Sequence, residues 1–196
     1  LVPLSNDARD GNDARYYYGV SAYKQKDYET AETHLTEIAK QASYKNEATY
    51  YLLDISFKDG RFEESIKIGK KLLLNKTQKN SSDISKIIGE SYFNLKKYKE
   101  ALPYLRTYKG KRGKWNNTDY YQLGYAYYKQ NSFESAINYF NKIIDEKNAV
   151  SQNAYYHLAE CYLNLEKKNE ALNAFKTASE MTFNKEIQKD AALKYT

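Results

Sequence analysis

The sequence predicts an all-α fold, a right-handed superhelical solenoid built from antiparallel helix pairs with about eleven helices. The chain has 196 residues but only 2 Pro and 8 Gly, which suits long helices. Small residues recur in pairs 12 positions apart: Gly19 with Ala31, Gly89 with Ala101, Gly124 with Ala136, and Ala159 with Ala171. With Leu53 in the second unit, their first members follow at spacings of 34, 36, 35 and 35 residues, a period typical of stacked helix pairs.

Five units are expected between residues 12 and 183, starting near residues 12, 46, 82, 117 and 152. The fourth unit shows the pattern best, because one helix face carries Tyr120, Leu123, Gly124 and Tyr127 at positions i, i+3, i+4 and i+7. A second apolar stripe runs from Phe133 to Ile144, and Ser132 is the expected N-cap of that helix. Short polar turns recur between the paired helices, for example at Gln25–Asp27 and Asp59–Gly60.

The third unit has two unusual features. Pro103 lies near the start of its second helix, where it removes at most one backbone hydrogen bond, so we expect a mild bend. After this helix comes a basic loop containing two glycines and four cations, which predicts either a flexible joint or an extra contact surface. These cations are Lys109, Lys111, Arg112 and Lys114.

The two ends do not fill whole units. Residues 1–11 read as the remnant of an upstream segment, since Asn6–Arg9 is echoed by Asn12–Arg15. Residues 184–196 match the first helix of a unit and are expected to be the start of a sixth repeat or a capping helix. An exposed terminal helix of this kind would also offer a surface for self-association.

The repeated motifs resemble tetratricopeptide repeats. They read Tyr18-Gly19 with Tyr28 and Ala31, Ile88-Gly89 with Tyr98 and Ala101, Leu123-Gly124 with Phe133 and Ala136, and Leu158-Ala159 with Ala171. The resemblance covers residues 12 to about 180 and implies a helical scaffold with a concave groove. The second unit departs from the family pattern, because Leu53 replaces a small residue and Gly69 an aromatic one. We expect that these two sites have exchanged sizes.

A second aromatic stripe on the fourth unit, at Tyr121, Tyr125 and Tyr128, is rotated by about 100° from the core stripe. The same register along the chain gives the predicted groove residues Tyr16, Tyr50, Asp54, Lys86, Glu90, Tyr121, Tyr125, Tyr156 and Glu160. Tyrosine offers a large, rigid contact surface with a polar tip, which suits peptide recognition. The predicted function is therefore a non-catalytic protein–protein interaction scaffold that binds a peptide or helical segment of another protein in a tyrosine-lined groove.

Two alternative functions stay open from the sequence. Aromatic residues beside the basic loop are also typical of single-stranded nucleic-acid binding, although the acidic groove positions count against it. The chain could instead be an accessory repeat domain of a larger enzyme or envelope assembly. The sequence pattern of residues 154–162 resembles repeats of bacterial cell-envelope proteins, and this resemblance favours the periplasm or cell envelope over the cytoplasm.

No pattern typical of catalysis, a metal site or a cofactor site is present in the sequence. His34 and His157 belong to different units, and Cys161 has no histidine at a spacing typical of a nucleophile pair. The net charge of +6 is too small to indicate nucleic acid as the partner. The longest aliphatic run, Leu72–Leu74, is far short of the roughly 20 residues that span a membrane.

Overall fold

The computed structural model describes residues 8–75, 78–144 and 146–195, and within them it contains eleven α-helices and no strand. The predicted all-α fold and the number of helices are thus confirmed. The helices are α1 (Ala8–Lys24), α2 (Tyr28–Ile38), α3 (Lys45–Lys58), α4 (Phe62–Leu73), α5 (Ser81–Asn94), α6 (Tyr98–Thr107), α7 (Asn117–Tyr128), α8 (Phe133–Phe140), α9 (Ala149–Asn164), α10 (Lys168–Glu180) and α11 (Lys185–Tyr195). They form two compact units, residues 1–95 and residues 96–196. From here on, the first and second unit are these two parts of the chain, and a repeat is one helix pair.

The first unit contains α1 to α5, and each helix packs against the next along the chain. The first helices of successive repeats also touch, because α1 contacts α3 and α3 contacts α5. Its core is built from fully buried aliphatic side chains, among them Leu35, Leu53, Ile55, Ile84 and Ile88. Burial of these stripes, rather than helix propensity alone, stabilises helices of 11 to 17 residues.

The second unit, α6 to α11, has the same arrangement. Here α7 contacts α9, α9 contacts α11, α6 packs against α7, and α8 and α10 each pack against the helices before and after them. Phe140 and Phe175 are the largest fully buried side chains of this unit. Pro103 lies inside α6, which continues past it to Thr107.

The turns inside the repeats share one geometry. A single residue with positive φ follows the first helix of the pair: Lys26, Gly60, Asn131 or Glu166, with φ between 56° and 74°. In each case the next amide donates to a carbonyl five residues earlier, as from Asp27 to Ala22 and from Ser132 to Tyr127, at 3.0 Å in both. This 6→1 bond satisfies carbonyl groups that the helix end leaves unpaired.

The small residues of the first helices accommodate large residues of the second helices. A Cβ on Gly19 would lie 3.0 Å from Leu35 Cγ, and one on Gly124 would lie 2.7 Å from Phe140 Cε1. Leu35 and Phe140 each follow the paired alanine, Ala31 or Ala136, by one helical turn. The paired small residues therefore let the two helices approach closely enough for the bulky side chain of the second helix to pack against the glycine of the first.

The second repeat inverts this arrangement, in line with the size exchange expected from the sequence. Leu53 on α3 is fully buried, and a Cβ on Gly69 of α4 would lie 3.5 Å from Leu53 Cδ1. The same Cβ would lie only 2.6 Å from Cγ1 of Ile88, which comes from the next repeat. Gly69 thus leaves room for one large residue of its own pair and one of the following repeat.

Helix α8 is shorter than predicted, because it ends at Phe140 instead of continuing to Ile144. After Phe140 the backbone tightens into i→i+3 bonds, with the amide of Ile143 donating to the carbonyl of Phe140 at 3.1 Å. The hydroxyl of Ser151 then donates to the carbonyl of Ile143 at 2.7 Å, which holds this turn against α9. Ile143 still reaches the core, although not as part of a helix. Ser132 occupies the N-cap position of α8, but its side chain makes no capping hydrogen bond.

Candidate functional site

In each unit, the first helices of the repeats bring the predicted groove residues together. In the first unit Tyr16 lies on α1, Tyr50 and Asp54 on α3, and Lys86 and Glu90 on α5. All five are half-buried, and the i, i+4 spacing within α3 and within α5 keeps each pair on one helix face. In the second unit the corresponding residues are Tyr121 and Tyr125 on α7 and Tyr156 and Glu160 on α9, also half-buried.

Asp54 is held between two neighbouring side chains. The hydroxyl of Tyr23 on α1 donates to its carboxylate, and Lys58, one turn along α3, forms an ion pair with it. The Lys58 ammonium lies 4.7 Å from the centre of the Tyr23 ring, within cation–π distance. Burial and the hydrogen bond to Asp54 raise the pKa of Tyr23 above its ordinary value, so it stays a neutral donor. This cluster fixes a ring of α1 to the face of α3.

The other charged groove residues of the first unit, Lys86 and Glu90, are paired with each other. Lys86 Nζ lies 3.8 Å from Glu90 Oε1, and the two side chains are only 24% and 15% exposed. Tyr16 donates to Glu47 at 3.2 Å across the α1–α3 contact. Burial, together with the nearby carboxylates of Asp83 and Asp54, raises the pKa of Tyr50 to about 12. The first-unit face is therefore polar and aromatic, and its predicted groove charges, Asp54, Lys86 and Glu90, each have an opposite charge nearby.

His157 is the centre of an aromatic cluster in the second unit. Its ring centroid lies 4.9 Å from that of Tyr125, 5.2 Å from Tyr128 and 6.2 Å from Tyr121. Tyr98 on α6 extends the cluster, with its ring 5.4 Å from that of Tyr125. Burial raises the pKa of Tyr121 above its ordinary value. Three helices, α6, α7 and α9, thus contribute rings to one patch.

Glu160 lies beside this patch and is compensated on several sides. His157 Nδ1 lies 2.9 Å from Glu160 Oε2, and Lys194 Nζ of α11 lies 3.4 Å from Oε1. Burial opposes ionisation of Glu160. Burial is the largest single influence, but the contacts with His157, the Tyr128 hydroxyl and Lys194 together outweigh it and hold the pKa of the carboxyl below its ordinary value.

Tyr156 repeats the arrangement seen at Asp54. Its hydroxyl donates to Asp190 on α11, and Lys194 contacts that hydroxyl while its ammonium lies 4.6 Å from the Tyr156 ring centre. Lys194 also pairs with Asp190 at 3.0 Å. In both units, therefore, a tyrosine of one repeat is fixed by an Asp–Lys pair, at i and i+4, on the first helix of the next repeat.

Sequence reasoning missed Lys58, His157 and Lys194 as members of the two faces. The sequence did contain a signal for the contacts between tyrosines and carboxylates of adjacent repeats. Tyr23 and Tyr128 each follow a small residue by four positions, and each contacts the acid that follows the equivalent site of the next repeat, Asp54 or Glu160. The predicted groove carboxylates Asp54 and Glu160 thus join adjacent repeats. Their role as ligand contacts stays a prediction.

The basic loop forms a closed turn. The Trp115 indole donates to the carbonyl of Tyr108 at 3.0 Å, and Lys111 and Lys114 form an isolated backbone bridge. A Cβ on Gly110, where φ is +81°, would lie 2.5 Å from the Lys114 backbone and 2.7 Å from Trp115 Cδ1. Only glycine allows this approach. The four cations Lys109, Lys111, Arg112 and Lys114 are exposed, which favours a contact surface over a flexible joint.

Neither a metal cluster nor an accessible thiol is found in the part of the chain that the structure describes. No group of three His, Cys, Asp or Glu side chains within residues 8–75, 78–144 and 146–195 could hold a metal ion. Cys161 is fully buried, and burial raises the pKa of its thiol to about 12. None of the helices in these ranges has the length and hydropathy needed to cross a membrane.

Comparisons with known proteins agree with this architecture. The model of the family described as "Anaphase-promoting complex, cyclosome, subunit 3" matches residues 24–108 and 104–178. A solved structure of MamA AMB-1 is 21% identical with a TM-score of 0.73, and the match covers 89% of this chain and 92% of that one. MamA 41-end from Desulfovibrio magneticus RS-1 is 20% identical with a TM-score of 0.68, covering 91% and 96% of the two chains. The search of curated proteins gives no match. At these identities the likeness to the solved structures concerns the fold.

Proposed function

This chain belongs to the family of tetratricopeptide-like helical repeats that the subunit 3 model describes, and from that premise we propose that it is a non-catalytic scaffold that binds a peptide or helical segment of another protein. Within each unit, the binding surface is the aromatic face of the first helices. The observation that carries this proposal is the patch of Tyr121, Tyr125 and Tyr128 around His157, in which half-buried rings are arranged before any ligand arrives.

Fixed rings favour binding because they lose little conformational entropy when a ligand docks. Tyr23, Tyr128 and Tyr156 are each held by a carboxylate of the next repeat. Truncating such an anchor to alanine loses more binding free energy than truncating a mobile surface residue. This is because aromatic side chains in fixed pockets dominate the affinity of most interfaces.

The charges on the aromatic face of each unit indicate the kind of ligand. Asp54 is paired with Lys58, Lys86 with Glu90, and Glu160 with Lys194. A face whose charges are compensated internally has no excess of cations for a phosphate backbone, whose neutralisation dominates nucleic-acid affinity. It suits a peptide that offers apolar side chains to the rings and polar groups to the tyrosine hydroxyls.

The proposal is tested with decapeptides selected by display against the whole chain, whose affinities are then measured by titration calorimetry. Tyr121→Ala combined with Tyr125→Ala should weaken the selected peptides by about tenfold or more. Tyr18→Ala is the matched control, because Tyr18 is 57% exposed and lies outside the predicted groove. If the double variant binds every selected peptide as tightly as the original chain does, the groove is assigned to the wrong face.

A further inference from the structure

A second cluster of aromatic rings lies on another face of α7, away from the predicted groove. The Tyr127 and Tyr139 rings stack at 5.5 Å and 9°, and Trp115 stacks on Tyr139 at 6.4 Å and 18°. Tyr120 completes the cluster, with its ring 5.3 Å from that of Trp115. None of these four residues is among the predicted groove residues. Together with Lys114 and Lys142 they define what we call the aromatic–basic surface.

This surface is reachable from solvent. Two open depressions of about 540 and 390 Å³ meet at Tyr120: one is bordered by Lys114 and Trp115, the other by Tyr127, Tyr139 and Lys142. Within the described residues, the hydroxyls of Tyr120, Tyr127 and Tyr139 make no hydrogen bond to another side chain or to the backbone. They differ in this from Tyr23 and Tyr156, whose hydroxyls are engaged by carboxylates of the next repeat. The three hydroxyls remain available to a ligand.

The charged residues that line the two depressions, Lys114 and Lys142, are both cations. Between Glu100 and Asp119 the sequence has five cations and no acid, and Asp119 is buried, where it accepts the backbone amide of Asn116 at the start of α7. Lys111, Arg112, Lys114 and Lys142 are exposed. Arg106 lies close enough to Tyr139 to influence it electrostatically. An anionic ligand is therefore favoured here, in contrast to the internally compensated groove.

We propose that the aromatic–basic surface docks an acidic peptide segment of a partner protein, with an apolar side chain against Trp115 and Tyr120 and carboxylates facing Lys114 and Lys142. A peptide fits better than single-stranded nucleic acid because bases bind by stacking on free ring faces. Here Tyr139 is stacked with both Tyr127 and Trp115, so much of the ring area is already covered. What these rings still present is edges and hydroxyl groups, which suit side chains and backbone amides.

The test uses the fluorescence of Trp115, the only tryptophan of the chain, as a reporter within the surface itself. The whole chain is titrated with a synthetic decapeptide pool that alternates Asp or Glu with Leu or Tyr. A second pool replaces each acid by its amide, and an oligo(dT) strand is the third probe. We expect the acidic pool to change the Trp115 emission and to bind about tenfold or more tightly than the amide pool. High salt should weaken this binding.

Charge variants locate the interaction. The triple variant Lys111→Gln, Arg112→Gln and Lys114→Gln should weaken the acidic pool by about tenfold or more, while its exposed positions leave the fold intact. The matched control removes three exposed cations elsewhere in the same unit, Lys168→Gln, Lys176→Gln and Lys185→Gln, and should bind as the original chain does.

Three results would overturn the proposal: equal binding of the two peptide pools, equal binding by the triple variant and its control, or tighter binding of oligo(dT) than of the acidic pool. Every groove residue is unchanged in these variants, so the outcome is independent of the groove assignment.

Discussion

The packing of Gly124 against Phe140 predicts that one added methyl group at position 124 lowers the unfolding free energy of the second unit. In Gly124→Ala the new Cβ would lie 2.7, 2.8 and 3.2 Å from three atoms of the Phe140 ring. Phe140 is fully buried, and its ring is rigid, so the overlap can be relieved only if α7 and α8 move apart. Overpacking of this kind typically costs about 1–3 kcal/mol. Replacing glycine by alanine inside a helix offsets about 1 kcal/mol of that cost.

The net expectation for Gly124→Ala is a loss of roughly 0–2 kcal/mol of unfolding free energy. Gly19→Ala is the matched control, because it makes the same change at the equivalent site of the first repeat. There the nearest atoms are Leu35 Cγ at 3.0 Å, Leu35 Cδ2 at 3.2 Å and His34 Cβ at 3.3 Å. A flexible leucine can yield by a few tenths of an ångström, so this variant should range from unchanged to about 1 kcal/mol more stable.

Both variants are measured by thermal unfolding, followed by circular dichroism and by the fluorescence of Trp115. The tryptophan belongs to the second unit and therefore reports the Gly124 change directly. One kcal/mol corresponds to roughly 4–8 °C in a unit of about 100 residues. If Gly124→Ala is as stable as Gly19→Ala, or more stable, the small residues of the first helices do not serve to seat the bulky residue of the second.

Three further predictions concern single side chains. Leu53→Ala should lower the unfolding free energy by about 2–4 kcal/mol in a denaturant titration, because Leu53 is fully buried beside Gly69; a loss well under 2 kcal/mol would contradict the size exchange. Gln152→Ala should lower the unfolding free energy by about 2–3 kcal/mol and speed hydrogen exchange in α11. The buried Gln152 amide donates to the carbonyl of Asn184, just before α11, at 3.2 Å and accepts from the Asn184 amide at 2.7 Å; unchanged exchange in α11 would contradict this. The folded pKa of Glu160 lies below its ordinary value of 4.5, so its contribution is present above that pH and lost as the pH falls through the folded value. Glu160→Gln should therefore have an unfolding free energy about 1 kcal/mol lower at neutral pH, and the difference from the original chain should shrink in acid. A difference that stays the same when the unfolding free energy of both proteins is measured across the pH range would refute this.

The helical repeat could be predicted from the sequence because its signals are local and periodic. The turn residues Gly60 and Asn131 favour positive φ, and small residues one period apart identify equivalent sites in successive units. The inverted sizes of Leu53 and Gly69 were visible for the same reason, since a departure stands out against a regular pattern. The end of α8 was not visible, because a tight turn held by the hydroxyl of Ser151 replaces the helix that the apolar stripe predicts.

The aromatic face was predictable only in part. The i, i+4 register places Tyr121 and Tyr125 on one helix side, and this spacing is fixed by the helical period. Whether their neighbours are charged, aromatic or open to solvent depends on α9, which lies more than twenty residues along the chain. The carboxylates of Asp54 and Glu160 were expected in an open groove, yet both are paired across repeats with groups from other helices.

The sequence by itself determined the all-helical class, the period of the repeats and the sites where small residues are required, because each follows from residue spacing along one helix pair. Only the tertiary structure decided which bulky side chain fills each small site, which cation compensates each carboxylate, and that Trp115 stacks on Tyr139 beside the basic loop. These are contacts between different helices. They depend on how closely the helices approach and at what angle, and a one-dimensional pattern does not contain that information.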